Sequence, residues 1–215
     1  ILRNSNKIKS TDGQKSADWI EKTEWLLKST KNIKILKNTA VTTYNYKDHL
    51  IAIEDKSVGN PPDNNKPELI THKIRTKHTV LANGHIERFL SFRNNDLPGV
   101  MLAASFEKYI HRYGVVADTS PVIFTNNSST FSLLKTMVDM NHKPKAYVDV
   151  RDSKKIEKET LELINNYNIP FYPKSEIEGC EGKNQIEKIF IRTKKDKTLK
   201  IKTSMLCVSG GLNPD

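Results

Sequence analysis

The feature that most constrains this sequence is a strand–helix–strand run in its second half. Pro121 to Thr125 is a short apolar segment, Ser128 to Met140 carries apolar residues at helical spacing, and Lys145 to Val150 is apolar again. That order predicts a βαβ unit whose strands lie buried in a parallel sheet. The same alternation extends in both directions, and the predicted fold class is α/β.

Upstream, Ser16 to Thr30 reads as a helix: Ser16 suits the N-cap, Asp18 the first turn, and Trp19, Ile20, Thr23, Leu26 and Leu27 share a face. Ile33 to Leu36 reads as a short strand. Val41 to Tyr46 and Leu50 to Glu54 read as a hairpin around Lys47-Asp48-His49. Gly59 to Pro67 is a proline-rich loop, and Lys73 to Lys77 and Thr79 to Ala82 are strand-like. After a connector from Gly84 to Gly99, Met101 to Tyr113 reads as a helix stopped by Gly114. Downstream of the βαβ unit come a helix from Ser153 to Tyr167, a strand at Ile169 to Tyr172, a hairpin of Ile186 to Thr193 with Thr198 to Lys202, and a strand at Met205 to Ser209.

Composition narrows the function classes. Hydrophobic residues are 36% and charged residues 28%, which suits a soluble globular protein with a polar surface. No stretch approaches the roughly 20 apolar residues of a membrane helix, and Ile1 to Ser10 is too polar for a signal peptide. No membrane partner is therefore expected, and Cys180 and Cys207, read as two free thiols in a reducing compartment, make the cytoplasm the expected location. Cys180 and Cys207 form no CxxC, and the histidines His72, His78 and His85 lack convergent partners, so no metal site is expected. The net charge of +10 raises a nucleic-acid reading. Lysines scattered through the chain far outnumber arginines, however, and no nucleic-acid motif is present. The run Lys194-Lys195-Asp196-Lys197 falls where a solvated hairpin turn is expected. Because it begins at Ile1 and stops at Asn213-Pro214-Asp215, the chain reads as an internal piece of a longer one.

One internal repeat stands out. Ile74 to Gly84 resembles Ile201 to Gly211: a basic amphipathic strand, a turn, an apolar strand, then small residues ending in glycine. Two copies of one architecture explain this, and so does chance, since the pattern is common. Small residues at a strand end let backbone approach a ligand, which marks Ala82-Asn83-Gly84 and Ser209-Gly210-Gly211. The βαβ unit itself departs from a working dinucleotide loop, which needs G-x-G-x-x-G. Its first strand is followed by Thr125-Asn126-Asn127-Ser128-Ser129-Thr130, with no glycine at any of the three positions. The helix N-terminus still offers N–H groups, and Asp149 at the next strand end suits a ribose. Without the glycines, the unit reads as a structural relic.

The segment Thr79-Val80-Leu81-Ala82-Asn83-Gly84-His85-Ile86-Glu87-Arg88 resembles the "ATG" strand of flavoproteins with two dinucleotide domains. Asn94 to Ala103, Tyr109 to Val115 and Ser209 to Pro214 are similar to segments of the alpha subunit of heterotetrameric sarcosine oxidase. The resemblance runs from about Gly13 to Asp215 and is strongest from Val80 to Val115.

It implies two Rossmann-like dinucleotide-binding-type domains in series, the first incomplete, each with a β-hairpin or meander insert. The expected division is 1–97 and 98–215. It also implies NAD in the full subunit, with FAD and FMN elsewhere in the complex. The partners would be a flavin-bearing beta subunit and smaller subunits, and the reaction an oxidative demethylation of sarcosine with O2. No catalytic residue is expected in this chain. The expected cofactor-binding residues are Val41 beside the adenine and Ala82, Asn83 and Gly84 on the pyrophosphate side. The family has Thr where Asn83 stands. The relic reading of the βαβ loop is supported by similar Thr, Asn and Ser residues in the family. Glu87, Arg88 and Arg93 are open to ligand, partner or salt-bridge roles, and an exposed sheet edge allows a homodimer. The other reading is a non-catalytic scaffold of a related amine or imino-acid dehydrogenase complex that binds its partner without nucleotide.

Overall fold

The computed structural model describes residues 16–45, 48–59 and 67–214. The chain divides into two compact units, Ile1–Leu81 and Ala82–Asp215.

In the first unit, helix α1 (Ser16–Ser29) precedes an antiparallel three-stranded meander of β1 (Thr39–Asn45), β2 (His49–Asp55) and β3 (Leu69–Arg75), with β2 in the middle. Glu24 on α1 pairs with Lys28 at 3.0 Å and with Lys37 at 2.5 Å, which ties the helix to the segment before β1. Across β2 and β3, Glu54 meets His72 at 2.9 Å. Tyr46, Lys47 and most of the proline-rich loop fall outside the described residues.

Two expected strands of this unit do not form. Ile33–Leu36 is irregular, with Ile33 and Ile35 exposed. Thr79–Ala82 is irregular too, with Val80 89% and Leu81 78% exposed. An apolar segment becomes a strand only when a neighbour takes its backbone hydrogen bonds and covers its side chains. Neither segment pairs with a strand among the described residues.

The second unit is a three-layer α/β fold. Its centre is a parallel sheet in the order β5-β12-β6-β7-β8, formed by β5 (Val100–Leu102), β12 (Leu206–Ser209), β6 (Val122–Thr125), β7 (Ala146–Asp149) and β8 (Phe171–Pro173). The three inner strands are buried at every position, as a parallel sheet covered on both faces requires. Alternation sends their side chains two ways. Ile123, Tyr147 and Cys207 pack with α2 (Ala103–Tyr113), α3 (Phe131–Asp139) and α4 (Lys158–Asn166). Val122, Phe124, Ala146, Val148, Leu206 and Val208 pack against the meander of β9 (Glu176–Glu181), β10 (Lys188–Arg192) and β11 (Thr198–Lys202). A small antiparallel pair, β4 (His85–Glu87) with β13 (Leu212–Pro214), lies at the end of β12.

Several boundaries move from expectation. Met101 and Leu102 lie on β5 rather than on the helix, because Leu206, Cys207 and Val208 of β12 give them a parallel partner. Helix α3 starts at Phe131, after a loop, not at Ser128. The expected helix at Ser153 breaks into a 3-10 turn (Ser153–Lys155) and then α4. Gly114 takes the left-handed conformation, φ 66°, and its N–H closes α2 on the Ile110 and Tyr109 carbonyls. At the other end of α2, the Glu87 carboxylate accepts from the Ala104 N–H at 2.7 Å, placing an acid on the positive helix end. Among the described residues, no helix is long and apolar enough to cross a membrane.

Each unit carries a three-stranded antiparallel meander, and the chain after the last strand of each runs through an apolar segment to a glycine with positive φ, both glycines lying in the second unit. Those glycines are Gly84 at 88° and Gly211 at 97°.

Candidate functional site

In an open parallel sheet, ligands bind beyond the carboxyl ends of the strands, where the strand order reverses. In the second unit that place is the crevice between the ends of β6 and β12. The chain's own side chains fill it. The Asn127 side chain donates to the Ser209 carbonyl at 3.1 Å, and the Ser129 and Ser209 hydroxyls meet at 2.8 Å. Four amides of the loop that would hold a pyrophosphate are committed inward. Asn126 N–H donates to the Ser209 carbonyl, Asn127 N–H to Thr125 Oγ1, Ser129 N–H to Asn127 Oδ1 and Phe131 N–H to the Ser128 carbonyl.

Thr130 stands where a dinucleotide loop has its third glycine. It is 1% exposed, and its hydroxyl pairs with the buried Tyr147 hydroxyl at 2.7 Å. Burial pushes the Tyr147 phenol up, so it remains a neutral hydrogen-bonding group.

Asp149, the candidate ribose acid, has a fully buried side chain that accepts three hydrogen bonds from Arg151. Its Oδ1 accepts from the Arg151 N–H at 2.8 Å and from Arg151 Nε at 3.1 Å; its Oδ2 accepts from Arg151 Nη2 at 2.9 Å. Arg151 Nη1 also donates to Ser128 Oγ at 3.0 Å and sits 3.7 Å from Glu157. Ser128 Oγ donates to Glu157 as well. Burial works against the Glu157 carboxylate, yet the Ser128 hydrogen bond and the Arg151 charge hold it below the ordinary carboxylate range. Most polar groups of this crevice are engaged by the chain itself, Asp149 is paired with Arg151, and Thr130 stands in place of a glycine, so these residues do not fit a bound dinucleotide. Arg151 escaped the sequence reading; the signal was its place two residues after an acid that ends a buried strand.

The Ser209–Gly211 tip is also taken. A Cβ on Gly210 would meet the Arg88 carbonyl oxygen at 2.9 Å and that of Phe89 at 3.1 Å. The Gly210 N–H donates to Arg88 O at 2.7 Å, and Arg88 N–H returns to Gly211 O at 2.8 Å. The close backbone approach that glycine permits serves the chain's own strand β4.

Of the expected cofactor-binding residues, Val41 lies on β1 in the first unit and is 59% exposed. Ala82, Asn83 and Gly84 form an exposed, irregular tip at the start of the second unit. Gly84 has φ 88°, and a Cβ there would meet nothing within 4 Å. This tip is exposed where the Ser209–Gly211 tip is filled. Arg93 faces Glu181 at 3.8 Å, and its backbone pairs with Glu178, Gly179 and Cys180, so it serves the meander. Cys180 and Cys207 are buried free thiols; burial pushes Cys180 up to about 11 and Cys207 higher still, so neither is poised as a thiolate.

No protein-family model matches the chain. Curated relatives do. Over 97 residues the chain is 35% identical to sarcosine oxidase subunit alpha of Rhizobium meliloti, covering 41% of this chain and 10% of that protein. Over 70 residues it is 43% identical to the same subunit of Corynebacterium sp. (strain U-96), covering 33% and 7%. The chain thus spans a tenth or less of the length of these relatives. Among solved structures, thioredoxin reductase of Lactococcus lactis superposes with a TM-score of 0.63 at 14% identity, over 99% of this chain and 66% of that one. Bacillithiol disulfide reductase of Bacillus cereus gives 0.62 at 12% identity, over 94% and 58%. L-Proline dehydrogenase of P. horikoshii gives 0.52 at 18% identity, over 94% and 33%. The chain therefore shares the Rossmann-type α/β fold of these solved reductases and dehydrogenase, and part of it is similar in sequence to the alpha subunit of sarcosine oxidase.

Proposed function

We propose that this chain is the nucleotide-binding module of a sarcosine-oxidase-type alpha subunit. In that reading the division into 1–97 and 98–215 separates two dinucleotide-type domains, of which the first binds NAD and the second is a scaffold. The observation that carries it is the contrast between two glycine tips. The Ser209–Gly211 tip is filled by the chain itself, while Ala82–Gly84 is exposed with open space around Gly84. NAD would lie with its pyrophosphate along Ala82, Asn83 and Gly84 and its adenine beside Val41. Bound there, it would supply hydride-transfer capacity; the residues of this chain bind and orient it.

FAD on a beta subunit and FMN elsewhere in the complex would carry the oxidative demethylation of sarcosine with O2. In this proposal the chain alone is inactive and has no catalytic residue, and the complex is cytoplasmic. A homodimer through the exposed edges of the first unit's meander belongs to the same reading.

The second reading is a scaffold that holds its partner subunit without nucleotide, favoured by the internally satisfied network of Asp149, Arg151, Ser128 and Glu157. Calorimetric titration of the full subunit with NAD separates the two. The first reading expects saturable binding that weakens by at least about tenfold in Gly84→Val, since a β-branched residue at positive φ costs more than about 1.4 kcal/mol. No heat of binding supports the scaffold, and equal affinity in the variant places NAD away from the Ala82–Gly84 tip.

A further inference from the structure

The open tip contains Asn83-Gly84, the only Asn-Gly pair in the sequence. We propose that Asn83 is a spontaneous modification site, where the side-chain amide converts to an acid through a cyclic imide. The Gly84 amide nitrogen, having given its proton to solvent base, attacks Cγ of Asn83. The Cγ–Nδ2 bond breaks and ammonia leaves. Water then opens the five-membered ring at either carbonyl, giving aspartate or isoaspartate. The sequence is redox-neutral and consumes only water.

Three observations place the chemistry here. Glycine leaves the attacking nitrogen unshielded by a Cβ and allows the backbone to turn towards the ring geometry. Ala82, Asn83 and Gly84 lie outside any helix or strand and are exposed, and nothing crowds Gly84 within 4 Å of a Cβ position. Among the described residues, the Gly84 N–H makes no backbone hydrogen bond that the attack would have to break.

Asn127, which precedes Ser128, shows the opposite case. Its Oδ1 accepts from Ser129 N–H at 2.8 Å, and its Nδ2 donates to the Ser209 carbonyl at 3.1 Å, so its amide is held against rotation. Conversion at Asn83 adds a negative charge to the tip, and the isoaspartate product also lengthens the backbone there. The consequence for nucleotide binding rests on the placement of NAD proposed above; the modification itself does not.

The test is to age the full subunit in warm, mildly alkaline buffer and map its peptides by mass spectrometry. The peptide holding Asn83 is expected to gain the mass of an amide-to-acid change, faster as pH rises, while Asn127 stays intact. Asn83→Gln, which cannot close a five-membered ring, is expected to leave that peptide unchanged. An unmodified Asn83, or conversion concentrated at other asparagines, overturns the proposal. Aged protein and Asn83→Asp are expected to bind NAD about threefold to tenfold more weakly, as one repulsive unit charge near a pyrophosphate implies. If Asn83 converts and NAD affinity is unchanged, the modification stands and the NAD placement fails.

Discussion

Replacing Arg151 by methionine is expected to destabilise the second unit by about 3–5 kcal/mol, because it strips the counter-charge from a buried acid. The Asp149 side chain has 0% exposure and Arg151 only 19%. Two of the three donors that satisfy the carboxylate come from the guanidinium, which also links Ser128 to the end of β7. The variant leaves Asp149 with the Arg151 backbone N–H and no cation. Urea unfolding of wild type and variant measures the loss. A double variant with Asp149→Asn is expected to be less destabilised than the sum of the two single changes, since the orphaned charge is gone. A loss below about 1 kcal/mol would mean that water or another cation replaces the guanidinium, against an internally satisfied crevice.

The second large effect concerns Gly99, in the Leu97-Pro98-Gly99-Val100 segment that supports the family resemblance. Gly99 has φ 100°, and a Cβ there would collide with Ile186 Cγ2 and lie 2.5 Å from the Ser204 carbonyl oxygen. The Gly99 carbonyl also accepts from Leu206 N–H at 2.8 Å, so it starts the pairing of β5 with β12. Gly99→Ala is expected to cost about 3–5 kcal/mol, combining positive-φ strain with overpacking against backbone. Thermal unfolding checks it; a melting temperature equal to wild type would show that the chain relaxes around the new methyl. At Gly99 the recognisable motif therefore marks a packing constraint on the sheet.

What was legible in the sequence was what local periodicity encodes. Strands β6, β7 and β12 are short apolar runs because both faces of the parallel sheet are covered, and helix α2 ends at Gly114 because the left-handed cap suits glycine. Strand β9 was not legible. Glu176, Glu178 and Glu181 make it look like a loop, and only in the fold do Arg192 and Lys188 of β10 pair with those acids. Thr79–Ala82 misled in the other direction, since its apolar residues match a strand and no described strand pairs with them. At the site, the missing glycines were readable and pointed to a non-binding loop. Their replacement by side chains that fill the crevice was not, because Asn127 reaches Ser209 across 82 residues of chain. Gly210 shows the limit most plainly. A glycine that permits close approach is visible in sequence, while the identity of what approaches, here the Arg88 carbonyl, belongs to the tertiary structure.

In the proposed function, nucleotide meets the open tip and not the filled crevice. Hydrogen–deuterium exchange of the full subunit with and without saturating NAD tests it most directly. Slowed exchange is expected in peptides spanning Ala82 to Arg88, with exchange from Thr125 to Phe131 unchanged. Protection confined to Thr125–Phe131, with Ala82–Arg88 unaffected, would contradict it.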